Sequence, residues 1–307
     1  MSKVSMAVDL GGIRMKNPIN TAAGAFGHGW QFEGFYDVSA LGAITCKGVA
    51  DRPWDGNPGT RLCETPSGIM NSVGLQNPGI PAFLEHYGDY LRELSERGTQ
   101  VIVQVIGHSV EEYVAGLEAY LELADFNAGF EVNISCPNIA AGGAAMGATP
   151  EGAAEVVAAL RPRTDKPIVV KMAPSRVGEI ARALEDAGAD ALSLINTIPA
   201  MSIDVATRRS RLSRPTAGLS GPAIHPIAVR MVWEAHQASS LPICGIGGVT
   251  SGRDAAEFIL AGATAVSVGT SNLYDPTSAP RILAELEEWA AGQGVSDINE
   301  LIGAFEC

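Results

Sequence analysis

AGADALSLINT, at residues 187–197, and AGATAVSVGT, at residues 261–270, follow one pattern. In each, the glycine-containing end of a helical segment runs directly into a short stretch of small and β-branched residues. Glycine just after a helix is the residue that helix C-terminal caps favour. The uninterrupted apolar stretch is typical of a parallel strand covered on both faces. The repeat therefore predicts equivalent helix–strand units that share one sheet.

Working outward from these two strands, eight such runs occur along the chain. They are INTAA (19–23), AITC (43–46), VIVQVIG (101–107), FEVNIS (130–135), PIVVKM (167–172), ALSLIN (191–196), PICGIG (242–247) and AVSVG (265–269). Eight parallel strands with intervening helices predict a single (β/α)8 TIM barrel domain over residues 1–307, because an open doubly wound sheet rarely needs eight. Before the first unit, AVDLGGIRMKNP predicts an N-terminal β-hairpin that turns at Gly11-Gly12.

Helix starts and long connections complete this outline. Ser109 and Glu112 have the spacing of a capping box, and Thr149 before Pro150 predicts a helix N-cap. Three connections, at residues 48–80, 137–149 and 198–221, are too long to be plain turns. Each follows the C-terminal end of a strand, the face on which barrel enzymes build their active sites. We therefore expect long active-site loops at that face.

Composition excludes several classes of function. The net charge of -13 disfavours nucleic acid and an anionic membrane surface as partners. The apolar runs are too short to span a bilayer, and the first residues lack the apolar run of a signal peptide. The five cysteines include no CxxC pair, so we expect no metal site or iron–sulfur cluster in this chain. Their odd number fits a reducing compartment, and we expect a cytoplasmic protein.

Glycines after the last two strands indicate a phosphate site. Gly247-Gly248 follows the seventh strand, and Gly269-Thr270 follows the eighth. In barrels, backbone N–H groups of the loops after strands seven and eight often hold a phosphate. Either pair alone is an ordinary turn, but the two together favour a phosphorylated ligand.

Polar residues at the strand ends indicate a polar ligand. Lys47, Gln104, Asn133, Lys171 and Asn196-Thr197 lie in or just after five different strands. A buried amide or ammonium without a partner costs several kcal/mol, so six such residues at one mouth are hard to explain by core packing alone. Amides suit a heterocycle with neighbouring N–H and C=O groups, and lysines suit a carboxylate or a reduced flavin.

The motif NISCPN places Cys136 at the end of the fourth strand. A lone cysteine is usually a small buried hydrophobic residue. Here polar residues flank it, and it opens the Gly/Ala-rich segment IAAGGAAMGA at residues 139–148, which suits a loop that moves over a ligand. No histidine neighbours it in sequence, so we favour a thiolate that removes a carbon-bound proton over a protease-type nucleophile.

These segments together resemble the dihydroorotate dehydrogenase family, in order and over nearly the whole chain. The matching motifs are KG (47–48), MNSVGLQNPG (70–79), NISCPN (133–138), VVKMAP (169–174), INT (195–197), LSGPAI (219–224), GIGGV (245–249) and VGT (268–270). Cysteine rather than serine at position 136 resembles the class 1 enzymes. The segments at residues 195–212 and 217–226 resemble the type 1B catalytic subunit, whose partner is an iron–sulfur flavoprotein.

The resemblance implies flavin-dependent oxidation of (S)-dihydroorotate to orotate in de novo pyrimidine biosynthesis. Cys136 would take the C5 proton while a hydride passes from C6 to N5 of FMN, and electrons would continue to NAD through a partner subunit with FAD and a [2Fe-2S] cluster. It also implies a homodimeric core within a heterotetramer.

The roles carried over are catalytic for Cys136 and Lys47. They are cofactor-binding for Ala23, Lys47, Gly48, Gln104, Asn133, Lys171, Ile195, Gly221, Gly247, Gly248, Gly269 and Thr270. They are substrate-binding for Lys47, Asn71, Ser72, Val73, Gly74, Leu75, Asn133, Asn138, Asn196 and Thr197.

The chain departs from the family pattern at Ala23 and Gln104, where Ser and Asn are usual, and this puts the tuning of the flavin in doubt. Outside the motifs, we expect Cys46 and Cys244 to be core residues. His28 lies in a Gly-rich loop after the first strand, and we favour a capping role for it over a position beside the flavin. Four alternatives stay open: a type 1A enzyme that reduces fumarate, a flavin domain for uracil-type pyrimidines, a non-redox barrel that binds a phosphorylated metabolite, and a catalytically silent scaffold subunit.

Overall fold

The computed structural model of the chain describes residues 4–135 and 146–306. Its strands are β1 (Val8–Leu10), β2 (Ile13–Met15), β3 (Ile19–Thr21), β4 (Ala43–Thr45), β5 (Leu62–Thr65), β6 (Gly68–Asn71), β7 (Gln100–Val105), β8 (Gly129–Asn133), β9 (Ile168–Lys171), β10 (Ala191–Leu194), β11 (Ile198–Ala200), β12 (Ile203–Asp204), β13 (Arg209–Ser210), β14 (Ala217–Ser220), β15 (Ile243–Ile246) and β16 (Ala265–Val268). Its α-helices are α1 (Ala23–Phe26), α2 (Ile80–Glu96), α3 (Val110–Leu123), α4 (Pro150–Leu160), α5 (Val177–Asp186), α6 (His225–Ala238), α7 (Gly252–Leu260), α8 (Ser271–Tyr274) and α9 (Ser278–Ala291).

Eight parallel strands form the barrel. Around it they follow the order β3, β4, β7, β8, β9, β10, β15 and β16, with β16 paired again to β3. The seam between β3 and β4 is joined by the Gly42 N–H, which donates to the Ile19 carbonyl at 3.1 Å. The Thr45 N–H donates to Thr21 Oγ1 at 3.3 Å across the same seam. The predicted barrel and its eight strands are confirmed.

The helices pack around this barrel, with one exception. A helix of nine residues or more follows each barrel strand from β4 to β16. Between β3 and β4 the chain forms only α1 and two 3-10 turns, at Trp30–Gly34 and Val38–Ala40. Helices α5 and α7 end at Asp186 and Leu260, and Gly188 and Gly262 directly follow their C-cap residues, so both predicted glycine stops are confirmed.

The two predicted helix starts differ in outcome. The Thr149 side chain accepts the Gly152 N–H, which confirms this N-cap. At the other start, the Ser109 hydroxyl accepts the Glu112 N–H at 3.4 Å. The Glu112 carboxylate, however, accepts the N–H of His108 at 2.8 Å, one residue before the cap. The capping box is therefore wrong in its second half, because Glu112 also pairs with Arg52 and is drawn away from the cap residue.

The ends of the barrel are covered differently. At the N-terminal end, β1 and β2 form the hairpin predicted at Gly11-Gly12. A Cβ on Gly11 would lie 2.2 Å from the Asp190 carbonyl oxygen, so the turn packs directly against the chain entering β10. At the C-terminal end, the connections at 48–80 and 198–221 contribute an antiparallel sheet in the order β11-β14-β6-β5. The long loops were predicted, whereas this sheet was not.

In the described residues, no helix combines the length and apolar character that crossing a membrane requires.

Candidate active site

A cavity opens at the C-terminal ends of the barrel strands, between them and the four-stranded sheet. It encloses about 1410 Å³ including its open mouth. Its wall brings together sixteen of the residues predicted from sequence: Lys47, Asn71, Val73, Gly74, Leu75, Gln104, Asn133, Lys171, Ile195, Asn196, Thr197, Gly221, Gly247, Gly248, Gly269 and Thr270. They come from β4, β6, β7, β8, β9, β10, β14, β15 and β16 or from the turns that follow, so only the closed barrel and the sheet above it make them neighbours.

Three of the predicted residues that the structure describes do not appear on this wall. Ala23 is buried at the start of α1, and Ala22, which precedes it, lines the cavity instead. Gly48 lies behind the wall, against the side chain of Gln104. Ser72 is buried, and its hydroxyl accepts a hydrogen bond from Asn57 Nδ2 at 2.9 Å. Cys136 and Asn138 lie outside the described residues.

Two lysines reach the cavity from different sides. Lys171 is the last residue of β9 and pairs with Asn133 of β8. Lys171 is 7% exposed. Lys47 follows β4, and its backbone N–H donates to the Gly27 carbonyl at 2.7 Å. Burial, and then the positive charge of Lys47, lower the pKa of His28 to about 4. His28 is therefore neutral near pH 7.

The amides on the wall form one hydrogen-bonded row. Asn133 Nδ2 donates to Gln104 Oε1 at 3.4 Å, and Asn133 Oδ1 accepts the hydroxyl of Ser135 at 2.8 Å. The hydroxyl oxygen of Ser135 accepts Asn196 Nδ2, again at 2.8 Å. Asn196 Oδ1 then accepts the N–H of Thr197 at 2.8 Å. The row therefore presents amide donors and acceptors in fixed orientations to a heterocycle with N–H and C=O groups.

The turn after β15 is shaped to bring backbone N–H groups close to a ligand. Gly248 has φ +68°, and a Cβ there would lie 2.7 Å from the Gly221 carbonyl oxygen and 2.8 Å from His225 Cβ. Only glycine fits this backbone and this space. His225 supports the turn, because its Nδ1 lies 2.9 Å from the Gly247 carbonyl oxygen and its Nε2 lies 3.2 Å from Glu257.

The loop carrying residues 71–75 is held by Asn57. The Asn57 N–H donates to the Val73 carbonyl at 2.9 Å, and its Nδ2 donates to the carbonyl of Ser72. Arg214, from the arginine-rich segment that follows β13, donates to Asn57 Oδ1 at 3.1 Å. The arginine segment therefore supports the loop at the mouth of the cavity.

Three residues outside the wall were assigned from sequence. Burial raises the pKa of Cys46 to about 12 and that of Cys244 to about 11, so neither is a thiolate near neutral pH. Both are buried, which confirms the prediction that they are core residues. The prediction for His28 was wrong: its ring packs against Phe83 and Tyr87, with centroids 4.7 and 4.4 Å away, rather than capping a helix.

Sequence reasoning missed part of the wall. The residues not predicted are Ala22, Gly24, Ala25, Leu62, Ile69, Gly218, Ser220, Ile224, Ile246 and Leu273. Ser220 lies in the LSGPAI motif, and its hydroxyl accepts the Thr270 hydroxyl at 2.8 Å, so the motif itself was the available signal. Leu62 in β5 and Leu273 in α8 are exposed apolar side chains, and no sequence signal predicts their position on the wall.

Among the described residues, no cluster of three His, Cys, Asp or Glu side chains could hold a metal ion.

Comparison with known proteins identifies the family. The family model described as dihydroorotate dehydrogenase matches residues 5–289. Proteins from Geotalea daltonii and Geobacter sulfurreducens, both named dihydroorotate dehydrogenase B (NAD(+)), catalytic subunit, are each 48% identical over 308 residues, covering 100% of both chains. A relative of the same name from Desulforamulus reducens is 47% identical over 98% of this chain and 99% of its own.

A solved structure agrees on the architecture. The crystal structure of DHODH from Eimeria tenella in complex with ferulenol matches with a TM-score of 0.81 at 21% identity, over 98% of this chain and 88% of that chain. At this identity the likeness shows the barrel fold alone. From the family model and the full-length relatives, the chain belongs to the dihydroorotate dehydrogenase family.

Proposed function

We propose that this chain oxidises (S)-dihydroorotate to orotate in de novo pyrimidine biosynthesis, with FMN bound in the barrel mouth. The observation that carries the proposal is the single cavity in which two lysines, a row of amides and the glycine turns after β15 and β16 converge. Full-length relatives named as catalytic subunits of an NAD-dependent dihydroorotate dehydrogenase support the same activity.

The residues present fit FMN. Gly248 leaves no room for a Cβ, so the turn gives a phosphate close access to backbone N–H groups, together with Gly221, Gly247, Gly269 and Thr270. The Lys171 ammonium makes no hydrogen bond or ion pair with the described residues and is available to offset negative charge on the ring system. When bound, the flavin supplies the hydride acceptor.

The substrate would lie beside the amide row. Lys47 offers an ammonium for the substrate carboxylate, and a charge-assisted hydrogen bond of this kind contributes roughly 1.5–3 kcal/mol. Asn71, Asn133, Asn196 and Thr197 offer donors and acceptors for the N–H and C=O groups of the pyrimidine. Binding by this set orients the ring and restricts access of water.

Cys136 is proposed as the base that holds the C5 proton. It follows Ser135, which accepts from Asn196 and donates to Asn133, so the residue just before Cys136 is tied to two amides of the row. Thiolates are suited to proton abstraction near neutral pH when a positive group is close.

For electron transfer we propose a partner subunit that carries FAD and a [2Fe-2S] cluster and reduces NAD. The relatives' description as catalytic subunits supports a second subunit. A homodimeric core within a heterotetramer and a cytoplasmic location belong to the same proposal.

The test is anaerobic addition of dihydroorotate to the purified yellow chain while the flavin absorbance is followed. Bleaching within the turnover time is expected, and uracil-type dihydropyrimidines should leave the spectrum unchanged. The proposal would be refuted if the purified protein were colourless and stayed so after incubation with FMN. It would also be refuted if dihydroorotate did not bleach the bound flavin.

A further inference from the structure

Glu131 is an acidic residue inside the barrel that none of the assigned roles uses. It lies on β8 with all neighbouring residues of the strand buried, and it is 3% exposed. A buried carboxylate is costly unless hydrogen bonds satisfy it. Two side chains do so: Gln104 Nε2 donates to Glu131 Oε1 at 2.5 Å, and the Ser193 hydroxyl donates to Glu131 Oε2 at 2.7 Å.

The sheet register explains why these residues meet. Gln104 on β7 and Glu131 on β8 are directly paired across the sheet. Because side chains alternate along a strand, Glu131 and Asn133 lie on the same face of β8 and point into the barrel. Gln104 thus lies between an acid below it and an amide above it.

Chemistry then sets the direction of the Gln104 amide. A carboxylate only accepts, so the NH₂ group of Gln104 must face Glu131 and its oxygen must face the other way. That oxygen accepts Asn133 Nδ2 at 3.4 Å, and it packs against Gly48, where a Cβ would lie 2.4 Å from it. The Gln104 side chain, which is longer than asparagine, therefore bridges Glu131 in the core and the cavity wall. These contacts fix the orientation of its amide.

At the opposite end of the row, the side-chain oxygens of the two asparagines also act as acceptors. The Ser135 N–H donates to Asn133 Oδ1 at 3.3 Å, and the Thr197 N–H donates to Asn196 Oδ1. Backbone N–H groups thus orient both asparagines independently of Glu131. Gln104 has no such backbone donor in the described residues, so Glu131 and Asn133 alone orient it.

We propose that Glu131 is a positioning residue that holds the Gln104 amide in the orientation required by the flavin, and so presets this side of the cofactor site. The inference rests on the proposed function, because it takes Gln104 as a flavin contact. It also accounts for Gln104 at a position where the family usually has asparagine, because Glu131 holds the longer side chain by a hydrogen bond.

The test is a double-mutant cycle on FMN affinity, measured by quenching of flavin fluorescence when the apo chain binds FMN. The variants are Glu131→Gln, Gln104→Ala and the pair, with Glu155→Gln on the exposed face of α4 as the matched control. If Glu131→Gln leaves between one half and one tenth of the Gln104 population in the binding orientation, FMN binds about two- to tenfold more weakly. In the Gln104→Ala background the same substitution should have no further effect, and Glu155→Gln should match the parent.

Equal weakening by Glu131→Gln in both backgrounds would mean a general structural role and would overturn the proposal, as would no weakening in either. If Glu131→Gln does not fold, a crystal structure of the parent with FMN decides. Gln104 must then contact both Glu131 and the flavin, and a Gln104 that misses the flavin overturns the inference. A chain that takes no FMN would refute the proposed function as well, whereas an additive cycle in an FMN-binding chain refutes only the role of Glu131.

Discussion

Replacing Gly248 by alanine tests the glycine turn after β15 as a cofactor cradle. The residue has φ +68°, and an alanine in the left-handed region costs about 1–2 kcal/mol. The added Cβ would lie 2.7 Å from the Gly221 oxygen and 2.8 Å from His225 Cβ. Relief of such crowding costs typically about 1–3 kcal/mol. We therefore expect the free energy of unfolding to fall by about 2–5 kcal/mol.

The same substitution should also weaken binding of the cofactor. Moving the turn away from Gly221 displaces the N–H groups that would face the phosphate. Losing one charge-assisted hydrogen bond costs about 1.5–3 kcal/mol, or roughly tenfold and upward in the dissociation constant for FMN. Urea unfolding of the apo chain measures the first effect, and flavin fluorescence quenching measures the second.

Alanine substitutions at two other glycines serve as controls that separate the backbone cost from the effect of crowding. Gly294 has φ +77° with open space around it, so Gly294→Ala should cost only the backbone contribution and leave FMN affinity unchanged. Gly34 is exposed, with open space and no left-handed φ, so Gly34→Ala should change neither quantity. If folded Gly248→Ala binds FMN as tightly as the parent does, the phosphate does not lie at this turn and the reasoning is refuted.

Three further predictions follow from the proposed site. Cys136→Ser should retain FMN but slow flavin reduction by dihydroorotate about 10²–10⁴-fold in stopped flow, because a serine hydroxyl is a far weaker base. Cys63→Ser is the matched control. An unchanged reduction rate in the Cys136 variant would remove this residue from the mechanism. Lys47→Ala should weaken orotate binding about tenfold or more in a spectral titration. Lys166, whose ammonium binds Asn127, supplies the control, and Lys166→Ala should leave orotate binding unchanged. Equal dissociation constants for the Lys47 variant and the parent would exclude the contact. The purified chain should oxidise dihydroorotate with an artificial acceptor but reduce NAD poorly until a partner subunit is added, and robust NAD reduction by the chain alone, or turnover with fumarate only, would contradict the type 1B assignment.

The eight strands could be predicted because their signal is local. Each run of small and β-branched residues marks one strand, and the glycine that follows α5 or α7 lies three residues before β10 or β16. The glycine pairs after β15 and β16 could be assigned to one face for the same reason, since the C-terminal ends of parallel strands share an edge of the sheet. Family motifs then added roles for Lys47, Lys171 and the amides, and the fold brings all of these to one cavity.

What the sequence by itself could not decide depends on contacts between distant segments. The sheet β11-β14-β6-β5 pairs residues near position 70 with residues near position 219, and no local pattern specifies such a pairing. Glu131 was visible as an acid in an apolar strand, but its role follows from the register that sets it opposite Gln104. Ala22 rather than Ala23 lines the cavity because α1 begins at that point, and the ring of His28 lies in the core because α2 packs Phe83 and Tyr87 against it. Local composition thus determined the strands and the face of the site, whereas register and packing between segments far apart in sequence decided which side chains touch.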